Sequence, residues 1–141
     1  MNIHTILLAG GKGTRMLSKK AKVLQKLAGK SLLEHILCSA EEISSKTSIV
    51  VGFDKLSVEK EVSKISTKAK TYEQKKQIGT ADAVRTVIDS INENEKVLIL
   101  YGDVPLISKN TLESLCSLND SVSILTTNLS DPKGYGRVIK D

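Results

Sequence analysis

Short apolar runs that close on glycine alternate along this chain with segments of helical spacing, and that alternation restricts the fold more than any other feature. Ile3-His4-Thr5-Ile6-Leu7-Leu8-Ala9 runs straight into Gly10-Gly11-Lys12-Gly13, as a buried strand ended by glycines would. Thr47 to Phe53 reads as a second strand and Ala69 to Tyr72 as a short third. Val97 to Tyr101, ending at Gly102-Asp103, reads as a fourth and Val122 to Thr127 as a fifth. Between them, Ser31 is placed to cap a helix with Glu34 completing a capping box, and Leu33, Ile36, Leu37, Ala40 and Ile43 keep helical spacing. Asp54 caps a charged helix reaching Ile65. Gly79-Thr80 opens a third helix, with Ala83, Val84, Val87, Ile88 and Ile91 apolar, and a fourth runs from Ser108 to Leu118. Strands and helices in alternation imply βαβ units with right-handed crossovers. The fold class is therefore α/β, a Rossmann-like, mostly parallel sheet with helices on both faces. Ligands of such sheets bind beyond the carboxyl ends of the strands, where Gly10-Gly11-Lys12-Gly13, Gly79-Thr80 and Gly102-Asp103 all fall.

Composition supports one domain. The 141 residues suffice for one sizeable core, and with 3% aromatic residues and no Trp that core is aliphatic, which suits parallel α/β packing. The net charge of +5 raises the question of nucleic acid, but the lysines are scattered and almost no aromatics accompany them to stack on bases. Small phosphorylated ligands are the favoured partners, with no nucleic acid and no membrane. Ile3 to Ala9 is too short for a signal or membrane segment, which makes the cytoplasm the expected location. Cys38 and Cys116 lie far apart without metal-ligand spacing and read as reduced core residues, and His35 reads as solvent-exposed.

The glycine-rich loop places backbone N–H groups where they can approach a triphosphate, and glycines permit the close approach. Two common phosphate motifs fail on inspection. The dinucleotide fingerprint counted from Gly11 meets Met16 where glycine is required, and a Walker A loop ending in Gly29-Lys30-Ser31 has Leu24 at its first glycine position.

Leu-Ala-Gly-Gly-Lys-Gly-Thr-Arg-Met over Leu8 to Met16, with Lys22-Val23-Leu24 and Leu27-Ala28-Gly29-Lys30, resembles the signature of nucleotide-diphosphosugar transferases. Further motifs narrow the resemblance: Glu73-Gln74 with Gln77-Ile78-Gly79-Thr80, Tyr101-Gly102-Asp103-Val104-Pro105-Leu106-Ile107, and Asp131-Pro132-Lys133-Gly134-Tyr135-Gly136-Arg137. In order and spacing they are similar to the bacterial N-acetylglucosamine-1-phosphate uridyltransferases, over nearly the whole chain.

The resemblance implies a Mg²⁺-dependent nucleotidyltransferase that joins UTP to N-acetylglucosamine 1-phosphate. It implies that Leu8, Ala9, Gly11 and Gly13 line the nucleotide pocket, that Gln74, Gly79 and Thr80 help to read the uracil, and that Tyr101 and Gly102 border the nucleotide. Arg15 and Lys22 would grip the phosphates as the catalytic cations, Asp103 would ligate Mg²⁺, and Gly136 would touch the sugar. The chemistry agrees: one phosphate oxygen attacks another phosphate, and cations must offset the repulsion. Two further readings stay open: another nucleotidyltransferase of the superfamily, guanylylating molybdopterin or cytidylylating a polyol phosphate, or a nucleotide-binding module without turnover.

The chain departs from the family's pattern in several places. It has Gly10 where Ala is usual, Ala21 where Pro usually precedes the lysine, and Ala81-Asp82 where Gly-His often follows the Gly-Thr turn. Loss of the proline is expected to loosen the backbone that presents Lys22. Residues 1–141 correspond to the nucleotide-binding part of the family's domain, a truncated nucleotide-diphosphosugar transferase domain. Much of the sugar-binding part, a second metal ligand and the acetyltransferase domain of bifunctional members would be absent. An exposed sheet edge would follow, so a homo-oligomer or a complementing second chain is expected.

Overall fold

The computed structural model describes residues 2–13 and 18–139. The elements run β1 (Ile3–Leu8), a 3-10 turn (Lys22–Leu24), the short strands β2 (Lys26–Leu27) and β3 (Lys30–Ser31), α1 (Leu32–Glu41), β4 (Lys46–Val51) and α2 (Lys55–Ile65). They continue through β5 (Lys70–Glu73), α3 (Thr80–Arg85), a second 3-10 turn (Ile88–Ser90), β6 (Lys96–Tyr101) and α4 (Lys109–Ser117). β1, β4, β5 and β6 form one parallel sheet in the order β5-β4-β1-β6, and β2 and β3 pair separately as a small antiparallel hairpin.

β1 is central because nearly all of it can be buried, and alternate residues serve opposite layers. Leu7 joins Ile49, Val51, Leu98 and Leu100 against Leu33, Ile36 and Leu37 of α1, Val58 of α2 and Leu112 of α4. Ile6 on the opposite face packs with Val50 against Ala83 and Val87. Helices therefore cover both faces of the sheet. Each fully buried Leu or Ile contributes about 1.5–3 kcal/mol relative to exposure.

Most expected elements are present, with local differences that have physical causes. Ser31 caps α1, its Oγ accepting the Glu34 N–H at 3.1 Å, whereas the Glu34 carboxylate pairs with Lys30 and leaves the capping box half made. Asp54 precedes α2 but does not cap it through its side chain; it sits in the left-handed region (φ 53°) and sends its carboxylate to the Ala21 N–H. The helix opening at Thr80 ends at Arg85 rather than continuing to Ile91. Thr86 Oγ1 donates to Ala83 O and Ser90 Oγ to Val87 O, taking carbonyls that a longer helix would use.

Cys116 is buried as expected, but Cys38 is exposed, because the apolar stripe of α1 faces the other way. His35 is half-buried and not simply solvated: its Nε2 lies 2.8 Å from Leu27 O and ties α1 to the β2–β3 hairpin. The fully buried imidazole is His4, between Ser48 Oγ (2.8 Å) and Glu95 Oε2 (3.2 Å). Burial, reinforced by Lys46, lowers its pKa despite the opposing influence of Glu95.

The strand expected at 122–127 does not form. Among the described residues after α4 there is no helix or strand, and Val122 and Ile124 are exposed. A strand needs a ladder partner, and β-favouring side chains alone do not supply one. Beside this segment, Val97, Ile99 and Tyr101 of β6 are also exposed, while Leu98 and Leu100 are buried.

Candidate functional site

β1 and β6 end side by side, with Leu8 opposite Tyr101, at the place where the chain order reverses: β4 and β5 lie to one side of β1 and β6 to the other. Ligands of open α/β sheets lodge at such switch points. A cavity of ≈ 470 Å³ opens there. Leu8, Ala9, Gly11, Gly13, Lys22, Gln74, Gly79, Thr80, Tyr101 and Asp103 all line it, although they come from widely separated parts of the sequence. Gly102 lies buried just beneath, its N–H donating to Leu8 O at 2.9 Å. A Cβ on Gly102 would stand 2.9 Å from Val23 Cγ1 and 3.1 Å from Leu8 O, so the contact requires glycine. Gly136 is exposed in the segment after α4 and is not part of the lining. Arg15 lies outside the described residues.

The loop after β1 is held from below. The Ala9 N–H donates to Val50 O (2.9 Å), and the Phe53 N–H donates to Gly10 O (3.1 Å). Among the described residues, the N–H groups of Gly11, Lys12 and Gly13 donate to no other backbone group, which suits an anion cradle. Gly13 has φ +59°, and a Cβ there would lie 2.9 Å from Lys22 Cβ, so its glycine serves both the turn and the seating of the lysine.

Lys22 lies on the 3-10 turn that points into the cavity, and its Nζ donates to Asp103 Oδ2 at 2.7 Å. Both side chains are about one-third exposed, so the pair adds little to stability and keeps a cation and a carboxylate within reach of solvent. The turn is braced from behind. Ala21 is fully buried, and its N–H donates to Asp54 Oδ2 at 3.2 Å. A proline at this position could not make that bond, so the carboxylate supplies the restraint that the loss of proline was expected to remove.

Gln74 is buried and anchored by its own N–H to Val51 O (2.8 Å). Its Nε2 donates to Gly79 O (3.0 Å) and to Asp82 Oδ2 (2.9 Å). Sequence reasoning missed Lys12 as a lining residue, although it stands inside the glycine run; its Nζ lies 5.8 Å from the centre of the Phe53 ring. The sequence offers Asp54 only as a helix cap and Asp82 only as a departure from the family's pattern; their contacts with Ala21 and the Gln74 amide depend on the folded geometry.

Asp103 places one carboxylate at the cavity, and no cluster of three or more metal-ligating side chains occurs among the described residues. One carboxylate suits Mg²⁺, which takes few protein ligands and fills its shell with phosphate oxygens and water. The residues present fit that ion. Among the described residues, no helix is long and apolar enough to cross a membrane.

Glycine loop, switch-point cavity and facing lysine and aspartate define a nucleotidyltransferase-type α/β domain, and the chain belongs to the family of MobA-like NTP transferase domains, which matches residues 5–132. Among curated proteins it is similar to the bifunctional protein GlmU of Vesicomyosocius okutanii, 43% identical over 99% of this chain and 31% of that protein. GlmU of Francisella philomiragia is 45% identical over 100% of this chain and 31% of its own length. The chain thus spans under a third of the length of these curated relatives. A nucleotidyl transferase from Methanothermobacter thermautotroptrophicus shares the fold, with a TM-score of 0.70 at 21% identity over 82% of this chain and 56% of that one.

Proposed function

We propose that the switch-point cavity binds UTP and transfers its uridylyl group to N-acetylglucosamine 1-phosphate, releasing pyrophosphate. The observation that carries this reading is the Lys22–Asp103 pair at 2.7 Å, set against a glycine loop whose N–H groups, among the described residues, donate to no other backbone group, in a cavity large enough for a nucleotide. The similarity to GlmU along the whole chain supports the choice of uridine and of the sugar.

In the reaction, an oxygen of the sugar 1-phosphate forms a bond to the α-phosphorus of UTP. The bond from that phosphorus to the α–β bridging oxygen breaks, and pyrophosphate leaves with the electron pair. Two anions must meet, and catalysis consists of positioning and charge neutralisation. The N–H groups of Gly11, Lys12 and Gly13 hold phosphate oxygens. Lys22 leaves Asp103 to face the α-phosphate as a point charge, and Arg15 shares that task. Asp103 would hold a Mg²⁺, which supplies further charge neutralisation on the phosphates when bound. Gln74, Gly79 and Thr80 take the base, and Leu8, Ala9, Tyr101 and Gly102 border the nucleotide. Gly136, the sugar contact implied by the resemblance, stands outside this cavity and has no part in nucleotide binding.

Pyrophosphate release by the purified chain, given UTP, N-acetylglucosamine 1-phosphate and Mg²⁺, tests the proposal. Release that is abolished in Asp103→Ala is the expected result. Release that is unchanged in Asp103→Ala and Lys22→Ala would remove both from the reaction.

A further inference from the structure

The Gln74 side chain sits at the junction of three segments, and its amide can point only one way. Among the described residues, its side-chain hydrogen-bond partners are the Gly79 carbonyl and the Asp82 carboxylate, and both are pure acceptors. The atom facing them must therefore be Nε2, because the reverse orientation would press Oε1 against two acceptor oxygens. Asp82 is the stronger of the two restraints, since hydrogen bonds to a charged acceptor exceed those to a neutral carbonyl. With Nε2 committed, Oε1 is left over the loop after β1. A Cβ built on Gly10 would come to 3.4 Å from it, and among the described residues Oε1 accepts no hydrogen bond. Asp82 itself does not line the cavity; it reaches the site only through Gln74.

We propose that Asp82 is a positioning residue that fixes the Gln74 amide with its carbonyl toward the nucleobase, so that the site selects bases carrying a ring N–H on that edge. The inference rests on the nucleotide-binding reading of this cavity given above. Uracil offers N3–H to Oε1. Cytosine presents a lone pair at the same place and meets an acceptor with an acceptor. The site thereby discriminates without any direct contact between Asp82 and the nucleotide, because an acceptor that the bound base covers and leaves unpaired or opposed is costly. The Ala81-Asp82 departure from the family's pattern acquires a physical reading: the aspartate supplies the anionic acceptor that locks the glutamine.

The test compares affinities for UTP and CTP in the full chain by calorimetry, with Mg²⁺ present, for the unmutated protein, Asp82→Ala, Asp82→Asn and Gln74→Ala. Unchanged circular dichroism serves as the check on folding. The proposal expects the UTP preference to fall about tenfold in Asp82→Ala, mostly through weaker UTP binding. Asp82→Asn, whose neutral amide can present either an acceptor or a donor to Gln74, is expected to fall between the unmutated protein and Asp82→Ala. Equal weakening of both nucleotides in Asp82→Ala, or an unchanged ratio, overturns the positioning role. If Gln74→Ala abolishes the preference while Asp82→Ala does not, that role alone fails. If Gln74→Ala leaves the ratio intact, Gln74 does not read the base, and the base-reading step fails with it. Absence of nucleotide binding by the unmutated chain overturns both readings.

Discussion

The two sides of β6 differ sharply. Leu98 and Leu100 point into the layer closed by α1 and α4 and are buried, while Val97, Ile99 and Tyr101 on the same strand face outward and are exposed. The exposed side borders an open groove of ≈ 1080 Å³ between β6 and the segment after α4, more than twice the volume of the switch-point cavity. Size does not make the groove a site. It lacks the glycine loop and the facing cation and carboxylate, whereas the smaller cavity gathers charged and backbone groups from five segments. Apolar alternation can build a strand with one finished face, but only chemistry placed at strand ends builds a site.

The largest effect expected from this contrast is in stability. Leu100→Ala should cost about 2–5 kcal/mol by urea unfolding, and Ile99→Ala no more than about 0.5 kcal/mol. Equal costs would mean that the outer face of β6 is covered in solution. The next effect concerns chemistry: Lys22→Ala should reduce the proposed uridylyl transfer about 100-fold, while Ile99→Ala leaves it unchanged. Loss of transfer in Ile99→Ala would tie the groove to the reaction.

A smaller effect is expected behind the lysine. Asp54→Gly tolerates the left-handed backbone but removes the acceptor for the Ala21 N–H, and should cost about 1 kcal/mol and raise the KM for UTP. Ala21 already has φ −54°, which proline accepts, so Ala21→Pro in the Asp54→Gly background should restore the KM. Failure of that rescue would show that Asp54 does not act through the turn.

The smallest effect is the dependence on pH. The folded state lowers the pKa of His4 below 6.5, so the unfolded chain binds the extra proton first. Stability should fall as pH drops below 6.5 and level off below the folded-state value, and His4→Asn should flatten that window. A separate loss is expected below 4.5, where Glu73 and Glu95, held down by Lys55 and by Asn92 respectively, take up protons. Unfolding midpoints measured across both windows in His4→Asn check the assignment.

Much of this architecture was legible in the sequence because its signals are local. The apolar run into Gly10-Gly11-Lys12-Gly13 marks β1 and its loop, and Ser31 marks the start of α1. Val122 to Thr127 misled because strand formation depends on a neighbour, which no property of those residues reports. The cavity residues were recognisable as motifs, but their supports were not. Asp54 holding Ala21 and Asp82 holding Gln74 are contacts between side chains and distant or freely rotating groups, and only the folded geometry joins them.

Amide chemical-shift changes on titrating UTP and Mg²⁺ into the full chain test the central claim most directly, because they distinguish the two regions in one experiment. The account expects shifts at Ala9 to Gly13, Gln74, Gly79-Thr80 and Tyr101 to Asp103, with Ser121 to Leu125 and the Val97 and Ile99 amides unmoved. Shifts confined to β6 and residues 121–125, with the glycine loop silent, would contradict it.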